Sequence, residues 1–301
     1  MLELRDVPAD RLPGLRTEVV ERLAARRVRS RFQDPDQART QVEELVERTA
    51  EVSAWLDVVA DGDIGGFVWL APEGEELAVY DVVLDDLGLV SDLLGVMIEQ
   101  ARTRGARMLG LGVEPGDTAR AAIASLPGFQ LRATNMVLRL ELPIADPAPL
   151  VLEPMTQDEY ASFTDDEVEG FAEELASAGM DAERALERSR TMMAELLPSG
   201  IDSPGMEFDT ARVDGEVVGD LWISTGDTMA FVYNIVVRPE HRRRGYGAAI
   251  MNAAAIRCRD LGHPVLGLNV FAHNPNARAL YDKLGYEVTH DYLTHDVPDA
   301  G

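Results

Sequence analysis

The stretch "VVRPEHRRRGYGAAI" (Val236–Ile250) sets three consecutive arginines against Gly245-Tyr246-Gly247. An apolar, β-branched run precedes it and "MNAAAIRCRD" follows, so it reads as a loop that leaves a strand and opens a helix. Amides at a helix start lack intrahelical acceptors, and the helix dipole favours negative charge there. Glycine also lets a ligand approach the main chain closely. Arginines add planar forks suited to phosphate oxygens. The stretch is a local anion cradle in an acidic chain, with 53 Asp and Glu against 28 Lys and Arg and a net charge of −25. That balance argues against nucleic acid, whose binding needs a basic footprint to displace counterions.

Two nucleotide fingerprints fail on detail. Gly245-Tyr246-Gly247 continues into Ala-Ala-Ile without a third glycine, and the next strand, "VLGLNVF" (Val265–Phe271), has no acid to hold a ribose. No Gly-Lys-Ser/Thr follows, which excludes a P-loop.

Working outward, the chain repeats itself. "DGDIGGFVWL" (Asp61–Leu70) and "DGEVVGDLWI" (Asp214–Ile223) lie 153 positions apart, as do "VYDVVLDD" at Val79 and "VYNIVVRP" at Val232. Then "LGLGVEPGD" (Leu109–Asp117) answers "LGLNVFAHN" (Leu266–Asn274) at an offset of 157. "TARAAIASLPGF" (Thr118–Phe129) answers "NARALYDKLGY" (Asn276–Tyr286), with Pro127 extra. Four blocks in one order indicate a tandem duplication, which suits a length of 301 residues.

Each copy reads as a helical N-terminal part, an acidic turn, apolar strands and interspersed helices. The fold class is therefore α+β, with a mixed, mostly antiparallel twisted sheet flanked by helices in each copy. In the second copy the pattern predicts strands at Phe208–Val213, Val217–Thr225 and Met229–Val237. A helix at Gly245–Leu261, a strand at Pro264–Phe271, a helix at Asn276–Leu284 and a last strand at Tyr286–Thr294 follow. Four prolines in "LPIADPAPLVLEP" (Leu142–Pro154) mark the join. The expected division is 1–143, a linker at 144–150, and 151–301.

The change of offset locates a difference of four residues between the copies. It falls where the second copy has "EHRRRGYG" and the first reads "LDDLGLVSDLLG" (Leu84–Gly95), with aspartates where an anion would sit. The first copy is expected to bind none there.

Arg242, Gly245 and Gly247 meet Gln/Arg-x-x-Gly-x-Gly/Ala. Asn274, Ala277, Tyr281, Gly285 and Tyr286 meet Asn-x-x-Ala-x-x-x-Tyr-x-x-x-Gly-Phe/Tyr. With both motifs in order, the second half resembles the GCN5-related N-acetyltransferase (GNAT) family, and the first half resembles a degenerate copy of it. Tandem chains with one decayed copy occur in that family.

The resemblance implies acetyl-CoA as co-substrate. Its pantetheine arm would lie in the opening between a bulged strand ending at Val237 and the next strand, against main-chain groups of Ile235, Val236 and Val237. The loop from Arg242 through Arg243, Arg244, Gly245, Tyr246 and Gly247 to Ala248 would hold the pyrophosphate. Asn269 and Asn274 would complete the cofactor contacts, and the Val236 amide would stabilise the oxyanion.

Acetyl transfer also needs an acid for the leaving thiolate and a base for the acceptor ammonium. Tyr281 fits the acid, because a phenol keeps its proton at neutral pH where a carboxylate does not. The first copy has Ile123 in its place. For the base, Glu174 is favoured, with Glu173, Asp220 and His273 as alternatives. Asn234 stands where related small bacterial sequences often carry Asp, and an amide is no base.

The acceptor is expected to be a primary amine of a small molecule or peptide. A mycothiol-synthase-like amino-sugar conjugate and a non-catalytic acyl-CoA-binding module are the alternatives. Histidines without metal spacing imply no metal. A single buried-type Cys258, no apolar span and a charged N-terminus point to a cytoplasmic protein without membrane contact. It would be a monomer or a homodimer.

Overall fold

In a computed structural model, residues 2–177, 180–226 and 228–298 are described. The chain runs through β1 (Leu2–Asp6), α1 (Leu12–Arg31), α2 (Pro35–Thr49), β2 (Ala54–Ala60), β3 (Asp63–Glu73), β4 (Glu76–Leu84), α3 (Val90–Thr103), β5 (Met108–Val113), α4 (Thr118–Ala124) and β6 (Phe129–Arg139). The same order then returns as β7 (Val151–Pro154), α5 (Gln157–Ser177), α6 (Ala182–Leu196), β8 (Met206–Val213), β9 (Glu216–Ser224), β10 (Ala230–Val237), α7 (Tyr246–Asp260), β11 (Val265–Phe271), α8 (Pro275–Leu284) and β12 (Glu287–Asp296). Among the described residues, no helix is long and apolar enough to cross a membrane.

Local chemistry repeats along with the order. The β2–β3 and β8–β9 hairpins turn on Asp61-Gly62 (φ 53 and 98) and Asp214-Gly215 (φ 51 and 82). Two left-handed central residues match the twist of the flanking strands, which favours Asp-Gly. Asp34 caps α2 through the amides of Asp36 and Gln37, and Asp181 caps α6 through those of Glu183 and Arg184. A Cβ on Gly66 would stand 2.1 Å from the Val83 carbonyl oxygen, and one on Gly219 would stand 2.3 Å from that of Val236. Any side chain would push these strands apart. Trp69 stacks between Trp55 and Tyr80 at 4.6 and 4.9 Å, and Trp222 between Phe208 and Tyr233 at 5.4 and 4.7 Å. All three members of each trio are 153 positions apart, so the matched tryptophans serve packing.

Two compact units emerge. One comprises Met1–Val137, Asn269–Ala279 and Glu287–Gly301, and the other Leu138–Leu268 and Leu280–Tyr286. In the first unit the sheet order is β1-β2-β3-β4-β5-β12-β6, with only β4 and β5 parallel. Strand β12 runs antiparallel to both β5 and β6, and the Thr134 hydroxyl donates to Asp291 at 2.6 Å. The chain's last strand thus counts with the first unit, whereas the expected division gave everything after 150 to the second. Leu93, Met97, Leu109, Leu111 and Ile123 are fully buried in one core of this unit, and Val19, Val42 and Trp69 in another. In the second unit the order is β11-β10-β9-β8-β7, again with one parallel pair, β10 and β11. Met155, Phe163, Leu197, Phe208 and Trp222 form its cluster under α5 and α6.

Candidate active site

In the second unit β10 forks from β11. Their parallel pairing covers Ala230–Val232 against Leu266–Leu268 and stops there, while a register shift between Val232 and Asn234 puts a bulge in β10. Beyond the bulge β10 pairs only with β9. The Arg238 amide donates to the Val218 carbonyl at 3.0 Å, and the Val236 carbonyl oxygen also points to β9 beside Gly219. Antiparallel residues alternate the edge to which they turn both amide and carbonyl. Val236 therefore spends its amide on β9, while Ile235 and Val237 present theirs to the open edge. Of the two residues, Ile235 and not Val236 turns its amide to the open edge.

The loop after β10 is a cradle of amides. A 3-10 turn (Pro239–His241) leads into it, and Arg243 (φ 61) and Gly245 (φ 88) both take left-handed conformations. No side chain caps α7, and the amides of Gly245, Tyr246, Gly247 and Ala248 find no acceptor among the described residues. Such a helix start is ready for an anion. A Cβ on Gly247 would stand 3.2 Å from Leu280, so glycine keeps α7 close to α8. Buried His241 anchors the loop from beneath, its ring edge-on to Tyr246 at 5.9 Å. Arg242 folds back and donates through Nε to the Val237 carbonyl at 3.1 Å, bracing the loop on β10. Arg243 and Arg244 are exposed.

Tyr281 lies on α8, buried to 6% exposure, with its ring 5.6 Å from that of Tyr286. Burial pushes its phenol above the ordinary value, so it stays a proton carrier. Asn269 and Asn274 fall in the segment counted with the first unit. There Asn269 donates to Asn135 at 2.7 Å, and the Asn274 side chain accepts from the Ala277 amide at 3.1 Å, starting α8.

Among the carboxylates, Asp220 on β9 is buried and ion-paired with Arg238 at 2.8 Å. Burial raises its pKa while Arg238 pulls it down. Glu173 is exposed, and the Glu174 side chain lies outside the described residues. His273 is exposed and stacks on Phe271 at 5.5 Å. Glu167 on α5, which the sequence reading did not single out, also reaches this strand. Its carboxylate accepts a hydrogen bond from the side-chain amide of Asn234, just past the bulge. Only the fold brings those two positions together, so no local signal pointed to it.

An acetyltransferase (GNAT) family model matches residues 169–286. The chain is 33% identical over 144 residues to the uncharacterized N-acetyltransferase YdgE of Bacillus subtilis, covering 92% of that protein and 46% of itself. The chain belongs to the GNAT acetyltransferase family. It is also 28% identical over 242 residues to a mycothiol acetyltransferase of Tsukamurella paurometabola, covering 80% of that protein and 76% of itself. A GCN5-related N-acetyltransferase from Sphaerobacter thermophilus shares the fold across 99% of this chain and 97% of its own, at 19% identity and a TM-score of 0.54. The family model falls on the copy with the cradle and the forked β10.

In the first unit the corresponding places carry different groups. The Asp86 carboxylate accepts the Gly88 amide at 2.8 Å where the second copy has its open loop. The parallel pairing of β4 and β5 also stops early, at Val79 and Leu111, beside a bulge between Trp69 and Leu70 pairings. Arg120 bridges this fork. Its guanidinium donates to the Gly112 carbonyl at 3.0 Å and to the Tyr80 carbonyl. Ile123, in the place of Tyr281, is fully buried.

Proposed function

We propose that the chain is an acetyl-CoA-dependent N-acetyltransferase whose site belongs to the second copy, and that the acceptor is a primary amine of a small molecule or peptide. The observation that carries this is the pairing of four acceptor-less amides, Gly245 to Ala248, with the open main-chain edge at Ile235 and Val237. This is what a phosphate-bearing ligand with an amide-containing arm requires. The cradle fits the pyrophosphate, and the β10 edge fits the pantetheine amides.

Acetyl-CoA supplies the acetyl group as an activated thioester. The Ile235 amide donates to the acyl oxygen in this reading, a preorganised donor where charge develops. Tyr281 gives its proton to the departing sulfur. Burial keeps that proton in place until it is needed. The match to the mycothiol acetyltransferase runs through both halves, which favours an amino-sugar conjugate of a thiol precursor as a second acceptor to try.

Titration calorimetry with acetyl-CoA tests the reading. One molecule should bind per chain. Gly245→Glu should weaken binding more than about 100-fold, because a carboxylate replaces the anion and a side chain is forced into a left-handed position. Two bound molecules would refute a single site, and no binding would refute the enzyme. Release of CoA thiol across aliphatic amines, polyamines, aminoglycosides, peptides and the amino-sugar conjugate then identifies the acceptor.

A further inference from the structure

We propose that Glu167 is the catalytic base of the second copy, taking the proton of the acceptor's ammonium group, with Asn234 as its positioning residue; this rests on the acetyltransferase reading above. The four candidates read from the sequence are placed poorly or not described. Asp220 is buried against Arg238, Glu173 points to solvent, His273 stacks on Phe271, and the Glu174 side chain lies outside the described residues. Glu167 sits seven positions before Glu174, two turns back on the same face of α5.

The contact with Asn234 fixes where that carboxylate is. Asn234 pairs with Trp222 across β9, so its side chain shares the sheet face of Trp222 and the α5 cluster. The next residue along β10 is Ile235, whose amide is turned to the fork. A carboxylate tethered to Asn234 therefore stands one residue from the donor assigned to the acyl oxygen. Base and oxyanion donor are brought together by consecutive residues of one strand.

An amide at position 234 also suits the chemistry. Its N–H donates to the carboxylate and holds it against β10. An aspartate there would set a second negative charge against Glu167 and favour the protonated form. The first copy shows the alternative. Asp81, 153 positions before Asn234, is fully buried and meets Arg22 of α1 at 2.6 Å. In both copies the helix after the first strand reaches this strand position, through Arg22 on Asp81 in the first and through Glu167 on Asn234 in the second.

The step balances. The ammonium gives one proton to Glu167, and the freed nitrogen lone pair forms the new C–N bond. The C–S bond breaks with its electron pair going to sulfur, which takes the Tyr281 proton. The second proton leaving nitrogen restores the phenol, and Glu167 returns its proton to water. The products are an amide, a thiol and one released proton.

The test uses the full chain, Glu167→Gln and Asn234→Asp, with two kinds of acceptor. Aliphatic amines are ammonium ions at pH 7.5, whereas hydroxylamine is neutral and needs no base. For Glu167→Gln, kcat/KM with aliphatic amines should fall about 100- to 1,000-fold. With hydroxylamine it should fall less than about 10-fold, with acetyl-CoA affinity unchanged. Asn234→Asp should move the acidic limb of the pH profile upward. Equal losses for both acceptors, or wild-type rates in Glu167→Gln, overturn the proposal while leaving the acetyltransferase reading intact. A wild-type chain that transfers acetyl to no amine overturns both.

Discussion

Asp81 and Asn234 hold equivalent places on β4 and β10, and their surroundings separate the two copies. Asp81 lies among arginines, with Arg22 at 2.6 Å, Arg120 at 3.4 Å and Arg26 at 3.8 Å. One of these, Arg120, bridges the carbonyls of Tyr80 and Gly112 across the fork of β4 and β5. Asn234 carries no charge, meets Glu167, and stands at a fork whose β10 edge stays open beyond Val232. Both copies keep the bulge and the fork, so duplication preserved the strand geometry in each. In the first copy a buried guanidinium spans the fork, and Asp86 accepts the Gly88 amide in the loop. The copies thus differ at the fork in their side chains, while the strand frame remains in both.

The sharpest way to break this contrast is to alter what each copy carries at Tyr281 and Ile123. Tyr281→Phe should lower kcat about 100- to 10,000-fold while acetyl-CoA affinity stays within a small factor. Ile123→Ala should leave the turnover of folded protein unchanged and instead cost about 2–5 kcal/mol of stability in urea unfolding, since a fully buried side chain is lost. Turnover that survives Tyr281→Phe would take the phenol out of the mechanism.

Arg120 comes next. Arg120→Met leaves Asp81 buried with one partner fewer, at a cost of about 3–5 kcal/mol in chemical unfolding. Asp81→Asn with Arg120→Met should be less damaging than Arg120→Met alone, because the buried carboxylate that Arg120 helps to neutralise is gone. Acetyl-CoA affinity of the folded protein should not change in either. A double variant no better than the single would mean that Arg120 matters through packing and not through Asp81.

Much of this was legible in the sequence. The offsets of 153 and 157 gave the duplicated element order, and the arginine-glycine loop gave the cradle. Both signals are local, set by hairpin turns and helix starts within a few residues. What stayed hidden depends on the fold. Whether Val236 or Ile235 turns its amide to the fork depends on one bulge, and strand alternation carries that choice down β10. The Glu167–Asn234 contact joins residues 67 positions apart. Strand β12 follows its own copy in sequence yet completes the first unit's sheet, which no local pattern could announce.

A smaller effect separates Asp220 from its counterpart Phe67. Burial raises the folded pKa of Asp220, with Arg238 opposing. The folded chain therefore holds this proton more tightly than the unfolded one. Stability from this group is lost as pH rises from the ordinary carboxylate value through the raised folded value. Asp220→Asn should remove that falling component, so the stability of the variant relative to wild type should improve with pH across the window. A difference that is flat with pH would show that Arg238 cancels the cost of burial.

The smallest effect is expected at Cys258. It is fully buried on α7, and burial pushes its thiol up to about 12. Thiolate is then on the order of 1 in 10,000 at pH 8, and iodoacetamide should react only as fast as the chain opens. Adding denaturant should release the reaction without any change of pH. Ala101, 157 positions earlier, fills the equivalent place on α3 and is also fully buried. Cys258→Ala should therefore cost about 1 kcal/mol or less, since the first copy shows the position packed around an alanine. A larger loss would mean that the two helices, alike in sequence position, have drifted apart in how closely they pack on their sheets.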